Sequence, residues 1–114
     1  MKTLSLLAAI FLAGLSSTFA ADHIVEVFDT EFSPRTVNAA PGDTITWVLQ
    51  SGQMGHNVTS VKIPRGATPW SSPVNTSNPT FQIQLTVPGT YRYHCTIHLF
   101  MKGIIRVSSN QPTE

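Results

Sequence analysis

From His23 onward, segments in which apolar side chains recur at every second position dominate this chain, and this period limits what it can fold into. Ile45, Trp47 and Leu49 share one face of the segment Thr44–Leu49. Phe81, Ile83, Leu85 and Val87 repeat the pattern, followed by Tyr91, Tyr93 and Cys95, and finally Ile105 and Val107. A period of two belongs to a half-buried strand, whose side chains point alternately to the two faces of a sheet. No stretch shows the 3.6-residue spacing of an amphipathic helix. Turn-forming residues punctuate the strands, at Ala40-Pro41-Gly42-Asp43 and at Pro88-Gly89. Phe32-Ser33-Pro34 interrupts the first strand, while Lys62–Pro79, rich in Pro, Ser, Asn and Gly, has the composition of a long surface connection. Seven to eight short strands with such turns predict an all-β, Greek-key β-sandwich or barrel without a second domain.

The first residues follow a different logic. Lys2 precedes an almost unbroken apolar run, Leu4–Leu15, and small residues lead up to Ala20. This is the three-part layout of a secretory signal. The run is shorter than the roughly 20 apolar residues a membrane-spanning helix needs. The expectation is a signal peptide at 1–20, a single domain at 21–114, and an exported protein, periplasmic in a bacterium.

Beyond Ala20 the basic residues (Arg35, Lys62, Arg65, Arg92, Lys102, Arg106) equal the acidic ones (Asp22, Glu26, Asp29, Glu31, Asp43, Glu114) in number. Nothing in that balance points to nucleic acid or an anionic membrane as partner. The acidic residues gather early and most basic ones late, which would give a dipolar surface.

Cys95 is the only cysteine. Exported domains of this size usually pair their cysteines, so a single thiol in an oxidising compartment calls for burial, reactivity or a metal. Its surroundings favour a metal. Cys95, His98 and Met101 are spaced three apart where a core strand gives way to a short loop. A thiolate, an imidazole and a thioether form a soft, mixed donor set. A second histidine on a neighbouring strand would complete the trigonal His₂Cys site with a weak axial Met of blue-copper centres, and His56 is placed to supply it.

These residues give the chain a resemblance to the cupredoxins, the type 1 blue copper proteins, and within them to the amicyanins, with plastocyanin and pseudoazurin more distant. The segments that carry it are Pro41-Gly42-Asp43-Thr44-Ile45-Thr46-Trp47, Met54-Gly55-His56-Asn57-Val58, and Gly89-Thr90-Tyr91-Arg92-Tyr93-His94-Cys95-Thr96 through Phe100-Met101-Lys102-Gly103. The resemblance implies His56, Cys95 and His98 as equatorial copper ligands and Met101 as the axial one. It also implies that Asn57 stiffens the site by hydrogen bonding near the Cys95 loop. The chain departs from the pattern at Ile97 and Leu99, where related loops carry prolines that would restrict the backbone.

The expected role is a monomeric single-electron carrier using one type 1 copper ion. Four protein ligands leave no open position for a substrate, so an enzyme is not expected. Redox partners would dock briefly on Ile97, Leu99 and Phe100 around His98. Copper storage or delivery through the same residues is the alternative. Cleavage after Ala20 would also expose Ala21-Asp22-His23, whose amine, amides and imidazole could form a secondary square-planar metal site at His23.

Overall fold

The protein is described by a computed structural model over residues 19–50 and 54–109. Most of the expected leader, residues 1–18, and the tail from Asn110 lie outside the described residues. The described chain forms strands β1 (Asp22–Val27), β2 (Phe32–Ser33), β3 (Thr36–Ala39), β4 (Asp43–Leu49), β5 (His56–Lys62), β6 (Ser71–Val74), β7 (Thr80–Leu85), β8 (Gly89–His94) and β9 (Lys102–Val107). They make two facing sheets, ordered β2-β1-β4-β7 and β3-β9-β8-β5-β6. The chain passes between the sheets repeatedly, so both are mixed: β1 runs parallel to β4 and β3 parallel to β9, while the other pairs are antiparallel.

The alternating residues do what their period dictates. Val25, Val27, Ile45, Trp47, Tyr91, Tyr93 and Ile105 are buried between the sheets. Trp47 meets Tyr93 edge-on at 5.2 Å between ring centroids and stacks on Phe81 at 5.6 Å. Phe32 approaches Tyr93 at 4.9 Å. Such aromatic pairs contribute beyond their buried area, by about 0.5–1.5 kcal/mol each.

The strand count exceeds the expectation, and the difference lies in two places. Phe32-Ser33 interrupts β1 as foreseen, yet it folds back as β2 and pairs antiparallel with it. The Lys62–Pro79 connection contains β6, which pairs with β5, Asn57 standing opposite Pro73. Proline hides this strand from sequence patterning, and β6 tolerates it because it is an edge strand, where a missing N–H costs no ladder bond. The same connection carries Ile63, Ala67 and Trp70 back against the core, so it is a lid over one side of the sandwich rather than a free loop.

At the β1–β4 end, Asp43 organises the chain. Its carboxylate accepts the Ala40 N–H at 2.9 Å, the Ala21 N–H at 2.9 Å and the His23 ring nitrogen at 2.8 Å. These donors, the Ala40 amide foremost, then Ala21 and His23, lower its pKa from 3.8 to about 2. The unfolded chain therefore binds a proton more tightly than the native one. The stabilisation is complete above about pH 5 and is lost as the pH falls through 3.8 toward 2. Asp43→Asn is expected to lower the unfolding midpoint at neutral pH and to flatten its acid dependence between those limits, as measured by thermal denaturation across pH. An unchanged acid limb in the variant would contradict this role.

Candidate metal centre

β8 delivers the cysteine. Burying Tyr91 and Tyr93 makes Cys95 the next inward position, and it is fully buried. A Cβ on Gly103 would collide with the Tyr93 ring, so glycine there lets β9 lie close against the tyrosine below the loop. The chain turns through residues 96–100 and returns with Met101. Two backbone hydrogen bonds close this loop: the Cys95 N–H donates to Met101 O at 3.0 Å, and the Met101 N–H donates to His98 O at 2.8 Å. Met101 itself is buried.

His56 arrives from β5. That strand pairs antiparallel with β8, Thr59 opposite His94, so its first residue lies beside the loop that follows Cys95. The ligand atoms of His56, Cys95 and His98 all lie within 4.8 Å of one another. Cys95 Sγ is 3.7 Å from His98 Nδ1, and the two imidazole centroids are 4.9 Å apart. His56 is 2% exposed, and its Nδ1 is buried without a hydrogen-bond partner. A buried polar atom left unpaired costs free energy unless something other than a protein hydrogen bond engages it.

Asn57 braces the cluster. Its backbone N–H points to Cys95 Sγ at 3.5 Å, its Oδ1 accepts the Thr96 N–H at 3.0 Å, and its Nδ2 donates to Thr96 Oγ1 at 2.7 Å. β5 and the cysteine loop are thereby joined through one side chain. Around the opening, His98 is half-buried, while Ile97, Leu99 and Phe100 are 60%, 61% and 64% exposed.

A profile described as "Copper binding proteins, plastocyanin/azurin family" matches residues 24–108. The chain belongs to that copper-binding family. Amicyanin of Paracoccus denitrificans is 31% identical over 84 residues, which cover 74% of this chain and 63%, less than two thirds, of that protein. Amicyanin-alpha of Methylorubrum extorquens is 32% identical over 101 residues, covering 89% of this chain and 84% of the relative. Among solved structures, a pseudoazurin from Sinorhizobium superposes with a TM-score of 0.66 at 30% identity, covering 79% of this chain and 77% of that one. The cofactor of the family fits this cluster: the open Nδ1 of His56, a second imidazole and a buried thiol form the mixed soft donor set that suits a type 1 copper ion.

One residue of this copper protein's site escapes sequence reasoning. Asp29, in the bend after β1, places Oδ1 3.4 Å from His56 Nε2. A carboxylate behind one ring nitrogen keeps the N–H there and leaves the other nitrogen free for a metal. Asp29 is 27 positions from His56 and sits among other early acidic residues, so only the folded chain singles it out. At the expected secondary site, the Ala21 N–H and the His23 ring both bond to the Asp43 carboxylate in the uncleaved chain.

Asp29→Ala is expected to weaken Cu(II) retention by about 10–100-fold in competition with a chelator, and Asp29→Asn, which keeps an acceptor, by less. Equal affinities for wild type and both variants would remove Asp29 from the site.

Proposed function

We propose that the protein is a single-electron carrier in which His56, Cys95, His98 and Met101 would hold one copper ion. The observation that carries this reading is the close His–Cys–His cluster, buried at His56 and Cys95, whose loop is shut by the Met101 backbone. Copper in such a donor set supplies a one-electron Cu(I)/Cu(II) couple. The chain's own contribution is to keep the donors fixed and dry. Cys95 and His56 are anchored in or beside core strands, Asn57 ties their segments together, and the backbone bonds at Met101 hold the loop without the prolines of its relatives. Donors that do not move between oxidation states keep the reorganisation on electron transfer small.

The exit for the electron is His98, the most accessible of the three clustered side chains. Its ring lies 6.0 Å from Phe100, and Ile97, Leu99 and Phe100 surround it with exposed apolar surface. A small apolar rim around a redox ligand suits brief docking that releases its partner quickly. With four side chains committed to the metal, no position is left for a substrate, which favours a carrier over an enzyme. No helix among the described residues is long and apolar enough to cross a membrane, and the N-terminal apolar segment supports export, to the periplasm in a bacterium.

The Cu(II)-loaded protein is expected to be intensely blue, with the narrow copper hyperfine splitting of a type 1 site in its EPR spectrum. Cys95→Ser is expected to lose the colour. Rapid electron self-exchange with slow loss of copper to a chelator supports the carrier, whereas facile transfer of copper to the chelator would establish delivery instead. A colourless wild-type protein would overturn both.

A further inference from the structure

The two outer faces of the sandwich differ in charge. On the β2-β1-β4-β7 sheet the outward positions include Asp22, Glu26, Thr44, Thr46, Gln82 and Gln84 and carry no lysine or arginine. On the other sheet, Arg92 of β8 and Lys102 and Arg106 of β9 point outward and are exposed, with Arg35 before β3 and Lys62 at the end of β5. The register concentrates this charge. His94 stands opposite Lys102, and Arg92 stands opposite Ile104 with Lys102 and Arg106 on its two diagonals. Diagonal neighbours lie about 7–8 Å apart, within reach of long side chains, so the positive charges are gathered on one patch. Among the described residues the ion pairs are those of His23 with Asp43 and His56 with Asp29, and no lysine or arginine is in an ion pair.

The centre of this face is apolar. Val61, which is 59% exposed, and Ile104 line a shallow cavity of about 260 Å³ together with Arg35, Arg92, His94 and Lys102. Apolar centre and charged rim are the parts of a protein docking surface. The face also adjoins the metal centre, since β8 runs into Cys95 and β9 begins directly after Met101. Arg35 and Lys102 continue toward the His98 rim, lining a second cleft with Phe100 and Glu31.

We infer that this basic sheet face receives an acidic redox protein and guides it onto the apolar rim around His98. The inference rests on the electron-carrier reading and adds the chemistry of the partner. The face supplies long-range attraction and orientation, and the rim supplies the contact through which the electron leaves. Steering of this kind raises association rates and weakens with salt.

Two measurements on the Cu(I)-loaded protein test it. Amide line broadening by hexacyanochromate(III), a redox-inert paramagnetic anion, is expected to centre on Arg35, Arg92, Lys102 and Ile104. Broadening elsewhere, or none, would overturn the assignment, and this map does not depend on electron transfer. Oxidation is then followed with native cytochrome c, which is basic, and with succinylated cytochrome c, in which the same haem sits in an acidic surface. The succinylated form is expected to slow by at least tenfold between low and high salt, and the native form is not. The double variant Arg92→Glu, Lys102→Glu is expected to lose that salt dependence while retaining the blue absorption of the oxidised protein. The same salt dependence in the variant, or faster reaction with the native cytochrome at low salt, would refute the inference. Self-association at low salt that the variant abolishes would assign the face to a second copy of the chain and refute it as well. Failure to oxidise with either cytochrome, with the anion map as expected, would instead count against electron carriage.

Discussion

Cys95 Sγ lies at full burial, 3.7 Å from His98 Nδ1, with the Asn57 N–H directed at it from 3.5 Å. A buried sulfur with two imidazoles and a backbone N–H converging on it is a donor set suited to a soft cation. Much of the structure depends on making that arrangement stable. Tyr91 and Tyr93 lock β8 into the core so that the next inward position is the cysteine. Gly103 lets β9 close over Tyr93, and the return strand then brings Met101 back within one hydrogen bond of Cys95. The fold supplies rigidity and dryness, and the donors supply the chemistry.

The absence of prolines beside His98 gains meaning in this setting. Proline would restrict the loop through the unfolded state, by lowering the entropy it loses on ordering. Here restriction comes from the folded state, through the paired bonds of Met101 with Cys95 and His98 and the double clasp of Asn57 on Thr96. Ile97 and Leu99 are therefore free to serve another purpose. Both project into solvent and widen the apolar rim beyond what Phe100 alone would give.

The parts of this molecule visible in its sequence are those written in local periodicity or tight spacing. The alternation of Tyr91, Tyr93 and Cys95 gives strand, face and burial together, and the Cys95–His98–Met101 spacing gives a loop able to gather donors around one point. What was hidden depends on pairing across the chain. β6 has no alternation to show, because Ser71-Ser72-Pro73 becomes a strand only by finding the free edge of β5. Asp29 has no local signature either, since its meaning comes from a ring nitrogen delivered by another strand. The bonds of Ala21 and His23 to Asp43 were hidden for the same reason, since they join positions twenty or more residues apart.

Charge follows the same rule at larger scale. In the sequence, acidic residues simply come early and basic ones late, a trend that a solvated surface would also produce. The topology turns that trend into geometry. β1 carries Asp22 and Glu26 to one outer face, and the β8–β9 hairpin carries Arg92, Lys102 and Arg106 to the other. The hairpin that places the basic residues also places Cys95 and Met101, because one loop joins its strands. A chain that needed only to bury its core could scatter those charges or pair them. Gathering them unpaired on the sheet that leads to the Cys95 loop would couple where a partner arrives to where its electron can cross.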